Sequence, residues 1–196
     1  MNQGNQFPLD RCPHCNIAKP LLTRQWGPLG SQDHAGQNLR VWSVYICASC
    51  GGFVLVSSPI DANRAIAQVW PSPQTVADVM PARAREFLSQ AIDSLHAPAG
   101  AVMLTASAAD AMLKEKGYKE GSLNNRIDAA AKNHLITEEM AAWAHEIRLD
   151  ANEQRHADEG APLPSGADAA KVIEFANALA QFLYVLPARV EKGRKP

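Results

Sequence analysis

Apolar positions follow two different rhythms along the chain, and the change falls near residue 70. Before it, Leu39–Ile46 and Gly52–Ser57 are dominated by Val, Ile, Tyr and Trp and predict two short strands, joined by the turn Cys47-Ala-Ser-Cys50-Gly-Gly. After it, apolar residues recur at three-to-four spacing, as in helices that bury one face. Pro81 suits a first helical turn, where its missing N–H has no partner to lose, and Phe87, Leu88, Ala91, Ile92 and Leu95 then share a face. Ala97-Pro98-Ala99-Gly100 breaks that helix. Val102, Ala106, Ala109, Met112 and Leu113 carry the next one to Gly117, which predicts a C-cap. Ser122 caps a third helix bearing Leu123, Ile127 and Ala131, and Thr137 a fourth, with Glu138 and Glu139 in its first turn. Ser165 with Asp168 reads as a capping box before a last apolar stripe of Val172, Phe175, Ala176, Leu179, Phe182, Leu183 and Leu186, which Pro187 is expected to stop.

The predicted fold class is therefore mixed: a small β module, which with its paired Cys12/Cys15 and Cys47/Cys50 resembles a zinc ribbon, followed by an all-α antiparallel helical bundle of about five helices. The expected division is a ribbon and connector over residues 1–70 and a bundle over 71–196, with Ser58-Pro59 and Trp70-Pro71-Ser72-Pro73 punctuating the connector. The chain has 196 residues, 46% hydrophobic and 20% charged, which excludes disorder as its main state. Its formal net charge is −1, with five Lys/Arg against three Asp/Glu in residues 1–70 and 14 against 17 thereafter, so any nucleic-acid partner must be held by a local patch. The first residues lack a basic start with an apolar run behind it, and nowhere do 18 apolar residues follow one another. A cytoplasmic protein without membrane attachment is the expectation.

Four cysteines carry the sharpest chemical signal. Cys12-Pro-His-Cys15 and Cys47-Ala-Ser-Cys50 are two Cys-x-x-Cys turns separated by 31 residues, a spacing that lets four thiolates surround one Zn²⁺ tetrahedrally. The alternatives are unmetallated thiols or a redox pair, and a thioredoxin-like site would need a βαβ pattern that the sequence lacks. Four protein ligands leave no open position, so the expected role of Zn²⁺ is structural. His14 and His34 are candidate substitutes that four cysteines make unnecessary, and His14 is expected to face solvent.

A second cluster falls on the fourth helix. Beside a core face of Met140, Ala144, Ile147 and Ala151, a polar row holds His145, Arg148, Asn152 and His156, with Arg155 at its edge. Arg148, Asn152 and His156 are the candidate catalytic residues, since Arg can stabilise a phosphorane and His can move a proton. His145 and Arg155 are candidate ligand-binding residues. The plainer reading is that these side chains pair with carboxylates on a solvated face. The basic tail of Arg189, Lys192, Arg194 and Lys195 is weak evidence for phosphate binding. Trp26, Trp42, Trp70 and Trp143 could stack on bases, although packing is their plainer use.

Arg148-Leu-Asp-Ala-Asn152-Glu-Gln-Arg-His156 resembles the Arg-x-x-Gly-Asn-x-x-Ala-His segment of the bacterial family catalogued as domain of unknown function 4145. Val69-Trp-Pro-Ser72, Ser122-Leu-Asn-Asn-Arg-Ile127 and Phe182-Leu-Tyr-Val-Leu-Pro-Ala-Arg-Val-Glu191 resemble other segments of that family in order, over residues 69 to 192. The resemblance implies a bundle similar to that of the HEPN superfamily, often behind a cysteine ribbon, in a setting of bacterial anti-phage defence. HEPN ribonucleases carry Arg, a polar residue, three further residues and His. Asn152 to His156 matches the second part of that pattern, while Ala151 stands at the arginine position. The resemblance therefore implies a module that binds nucleic acid, RNA rather than DNA, or a defence-system protein. The rival reading is a metal-independent endoribonuclease acting through Arg148, Asn152 and His156, and a third is the regulatory subunit of an operon. Homodimerisation is implied by the HEPN likeness alone.

Overall fold

A computed structural model describes residues 3–60, 65–146 and 162–194. The chain divides into two compact units, Met1–Gln74 and Thr75–Pro196.

The first unit is a four-stranded antiparallel sheet in the order β1 (Leu22–Ser31), β2 (Arg40–Cys47), β3 (Phe53–Pro59) and β4 (Gln68–Trp70). β2 and β3 are the two strands expected from their Val, Ile, Tyr and Trp content. β1 is not among the strands expected from sequence, and its Gly27, Pro28 and Gly30 are poor strand formers. It survives as an edge strand, where half the backbone groups need no ladder partner, and its register slips between Arg24 and Trp26 and again between Trp26 and Leu29. Gly27 is required there. Its φ is +94°, and a Cβ would stand 2.5 Å from the Trp42 carbonyl oxygen. The connector also contributes β4, and Ser58 and Pro59 end β3 rather than begin a loop.

One face of this sheet is dry. Val41, Ser43, Tyr45 and Cys47 of β2 alternate inward and meet Val54 and Val56 of β3, Leu22 of β1 and the N-terminal Phe7, whose ring lies 5.3 Å from that of Tyr45. The N-terminal segment is sewn over this face by side chains. Gln3 Nε2 donates to the Val41 carbonyl (2.9 Å) and to Ser58 Oγ (2.7 Å), Ser43 Oγ donates to Gln3 Oε1 (2.6 Å), and Tyr45 Oη donates to the Gly4 carbonyl (2.9 Å).

The second unit is helical: α1 (Ala82–Asp93), α2 (Pro98–Glu115), α3 (Leu123–Lys132), α4 (helical over the described residues 138–146), α5 (Gly166–Ala180), a π-helical turn (Gln181–Val185) and α6 (Leu186–Arg194). α2 packs against α1, α3 and α5. Its alanines 101, 106, 108 and 109 are buried and admit neighbours closely, and the buried Thr105 hydroxyl is satisfied by the Ala101 carbonyl at 2.7 Å.

The caps follow the sequence closely. Ser122 Oγ accepts the Asn125 N–H, Thr137 Oγ1 accepts the Met140 N–H, and Ser165 and Asp168 form the reciprocal capping box. Past α2, the Gly117 N–H bonds to the Lys114 carbonyl and the Tyr118 N–H to the Leu113 carbonyl, the paired bonds of a Schellman motif with Gly117 at φ +98°. α3 ends the same way with His134, at φ +55°, in place of glycine. Sequence alone hides such an ending.

Pro187 does not stop the last helix. The π turn supplies an i to i−5 bond from the Leu186 N–H to the Gln181 carbonyl, and α6 continues through the proline. The extra residue in that turn rotates everything beyond it. Leu183 stays buried, whereas Phe182 and Leu186, read as members of the buried stripe, are 41% and 48% exposed. By length and composition the Gly166–Arg194 run could cross a membrane, yet half of its most apolar stretch is buried inside the bundle, as in a core helix.

Candidate metal centre

Two hairpin tips build the sulfur site. In the first, Arg11 bridges Ala18 across the Cys12–Cys15 turn, and the Lys19 ammonium pairs with the Asp10 carboxylate at the base. The second is the turn between β2 and β3. The two tips share one backbone pattern. The Asn16 N–H bonds to the Cys12 carbonyl (2.9 Å) and the Cys12 N–H to the Ile17 carbonyl (3.1 Å), while the Gly51 N–H bonds to the Cys47 carbonyl (2.8 Å) and the Cys47 N–H to the Gly52 carbonyl (3.0 Å). The residue after each second cysteine is left-handed, Asn16 at φ +56° and Gly51 at +72°. In both tips the first cysteine is buried and the second exposed.

The four Sγ atoms lie within 4.8 Å of one another, and Cys12 Sγ and Cys50 Sγ are 3.9 Å apart. A tetrahedral ion with metal–sulfur bonds of about 2.3 Å needs its sulfurs about 3.8 Å apart, so this cage fits a metal ion after small adjustments. The His14 N–H points at Cys12 Sγ and the Gly52 N–H at Cys50 Sγ, each at 3.4 Å, the arrangement that stabilises anionic sulfur. The thiols perturb one another as such a cage should. Withdrawal from water pushes Cys12 up and Cys15 up to about 12. At Cys47 burial also pulls upward, but the backbone N–H groups of Cys50 and Ser49 and the Cys12 and Cys50 thiols outweigh it and bring the group down to about 7. A divalent cation held by the four sulfurs would favour their thiolate forms.

His14 is exposed, as expected, but it is also tied down. Its ring lies across Gly52 and its Nε2 meets the Phe53 carbonyl oxygen at 2.7 Å, latching one hairpin tip to the other. A Cβ on Gly52 would stand 2.4 Å from His14 Cδ2. The sequence signal for this latch was only the Gly-Gly pair after Cys50. His34 sits in the β1–β2 loop and is not among the clustered ligand atoms.

The other face of the sheet is apolar as well. Direct cross-strand pairing places Trp26 opposite Val44, Leu29 opposite Trp42, Val44 opposite Leu55, Ile46 opposite Phe53 and Leu55 opposite Trp70. Trp42 and Trp70 stack with ring centroids 5.7 Å apart, and Trp42 Nε1 donates to Ser31 Oγ. Trp26 is 54% and Phe53 59% exposed. Trp143, by contrast, is a packing residue, edge-on to Phe175 at 4.9 Å.

The family described as a domain of unknown function (DUF4145) matches residues 89–195. The chain belongs to the DUF4145 family. The matched region starts within α1, so the Val69–Ser72 segment and the cysteine sheet lie ahead of it. No curated protein and no solved structure matches the chain.

Of the polar row read on the DUF4145 bundle, His145 is in view. Its Nε2 is 2.8 Å from Asp128 Oδ1 on α3, so it is paired with a carboxylate. Arg148, Asn152, Arg155 and His156 lie outside the described residues. Of the core face read beside them, Ala144 is buried and Met140 half-buried, while Ile147 and Ala151 lie outside the described residues; Ala141, not read on that face, is buried as well.

Proposed function

We propose that this DUF4145 chain is a binding module of a prokaryotic defence system, in which Zn²⁺ held by Cys12, Cys15, Cys47 and Cys50 organises a ribbon that takes up single-stranded RNA, carried on a HEPN-like bundle. The observation that carries the reading is the second face of the sheet. A small sheet needs one apolar face for its core, and here that is the face covered by Phe7 and Gln3. The opposite face keeps Trp26 and Phe53 largely open beside the Trp42–Trp70 stack. Open aromatic rings on a rigid sheet are platforms for unstacked bases, each worth roughly 1–3 kcal/mol on truncation. A four-thiolate cage has no open position for substrate, which supports a structural metal and a role in binding. The family resemblance supports the defence setting and RNA as the nucleic acid.

The test is fluorescence anisotropy of a labelled single-stranded RNA oligonucleotide with the full, zinc-loaded chain, at two salt concentrations. Trp26→Ala and Phe53→Ala are each expected to weaken binding roughly tenfold without moving the unfolding midpoint. RNA that is not retained, or is retained equally by both variants, overturns the reading; capture of one dedicated protein instead would make this face a protein-docking surface. Elemental analysis is expected to find one zinc per chain, and chelation to unfold the sheet while the helical circular-dichroism signal persists.

A further inference from the structure

The helical unit holds a groove of about 860 Å³ between α1, α2 and the start of α3, lined by residues between Pro81 and Arg126. That size lies within the range of small-ligand pockets. Among the described residues, neither the four cysteines nor His145 lines it.

Its walls are of two kinds. Phe87 of α1, Met103 and Ala106 of α2 and Leu123 of α3 supply apolar surface, and Met103 is 37% exposed, unusual for methionine on a central helix. The charged part of the lining sets Arg83, Lys114, Lys119 and Arg126 against Asp110 and Glu115. On a chain of net charge −1 this is a local cationic excess. The pairing sharpens it. Asp110 is shared by two cations, Lys114 Nζ at 2.5 Å and Arg126 Nη1 at 2.7 Å. Arg126 is further anchored through Nη2 to the Lys119 carbonyl at 3.1 Å, its side chain is only 11% exposed, and its Nε is buried with no acceptor. Four cations thus face two carboxylates, Asp110 and Glu115, which leaves the lining net positive, and the Lys119 ammonium has no carboxylate partner among the described residues. The N-terminus of α3, capped by Ser122, opens on the same side and adds a partial positive charge. Arg83 completes the apolar end, its guanidinium 5.7 Å from the centre of the Phe87 ring.

We infer that this groove binds a small amphiphilic organic anion, its carboxylate, sulfonate or phosphate head held by Lys114 and Lys119 and its apolar body lying against Phe87, Met103 and Leu123. A neutral apolar ligand would leave the cationic lining unused, and a cation would be repelled by the excess of Lys and Arg over Asp and Glu there. Arg126 is a positioning residue. It fixes Asp110 and the α2–α3 turn, so Lys119 is presented to the groove.

The probe is 1-anilinonaphthalene-8-sulfonate, titrated into the full chain with fluorescence as readout, beside N-phenyl-1-naphthylamine, the same aromatic body without the sulfonate. The sulfonate is expected to bind saturably and to be displaced by decanoate. Lys119→Glu should weaken it at least tenfold while leaving the neutral dye within twofold, and Met103→Glu should weaken both. Circular dichroism should show all proteins equally folded. Lys119 lies in an exposed turn, so its variant folds even if Met103→Glu does not. Sulfonate affinity unchanged within twofold in Lys119→Glu, or equal affinity for the neutral dye, overturns the inference. Neither result bears on RNA binding by the sheet, which has its own variants.

Discussion

Replacing His14 and Gly52 singly and together tests whether the two hairpin tips of the sulfur site are latched as a unit. His14→Ala removes the 2.7 Å bond to the Phe53 carbonyl, worth about 0.5–1.5 kcal/mol. Gly52→Ala places a Cβ 2.4 Å from His14 Cδ2, 2.6 Å from Cγ and 3.0 Å from Cβ. A clash that reaches back to the imidazole's own Cβ cannot be relieved by rotating the ring, so the side chain must leave its place. This substitution therefore forfeits the same hydrogen bond and adds rearrangement, roughly 1–2 kcal/mol in all. In the His14→Ala background the obstruction is gone, and Gly52→Ala should cost less than about 0.5 kcal/mol. In the proposed zinc-loaded ribbon, folding of so small a sheet and closure of the four-sulfur cage are one equilibrium, so these losses are expected to appear in metal affinity, where 1.4 kcal/mol is about tenfold. The assay is competition for Zn²⁺ between the full chain and a colorimetric chelator of known affinity. Each single variant should hold metal several-fold less tightly than the parent, and the double variant should be no worse than His14→Ala alone. Losses that simply add, or a Gly52→Ala protein that holds metal like the parent, would refute the latch.

Phe175 is fully buried and meets Trp143 edge-on, so Phe175→Ala should destabilise the bundle by about 3–5 kcal/mol, read from urea unfolding by circular dichroism. Ser165→Ala should cost roughly 1 kcal/mol through loss of the α5 cap. The Ser165 hydroxyl and N–H both donate to Asp168 and hold its carboxyl below the ordinary value. The stability this confers is present above the unfolded carboxylate pKa and drains away as pH falls through the lower folded one. Asp168→Asn should flatten that part of the acid limb of a stability-against-pH curve. For His156, the binding reading predicts that purified protein leaves RNA intact in metal-free buffer. Cleavage abolished by His156→Ala with unchanged unfolding would establish an endoribonuclease instead.

Local chemistry was legible in the sequence because its causes are local. Ser122, Thr137 and Ser165 cap the helices that follow them, Gly117 closes α2, and the paired cysteines announce a four-sulfur cage, since each effect needs only neighbours a few residues away. Where a distant partner decides the outcome, the sequence was silent or misleading. β1, with Gly27 and Pro28 in it, gave no strand signal and is held at the edge of β2, and Pro187 reads as a stop until the π turn ahead of it removes the need for its N–H. The same turn swings Phe182 and Leu186 off the buried stripe. His14 became a latch only when β3 brought the Phe53 carbonyl within reach, and the cationic groove arises from three helices whose lysines and arginines lie up to 43 positions apart. Periodicity and spacing determine which elements form and which atoms can bind metal; only packing, by setting distances between segments remote in the chain, decides which faces stay open.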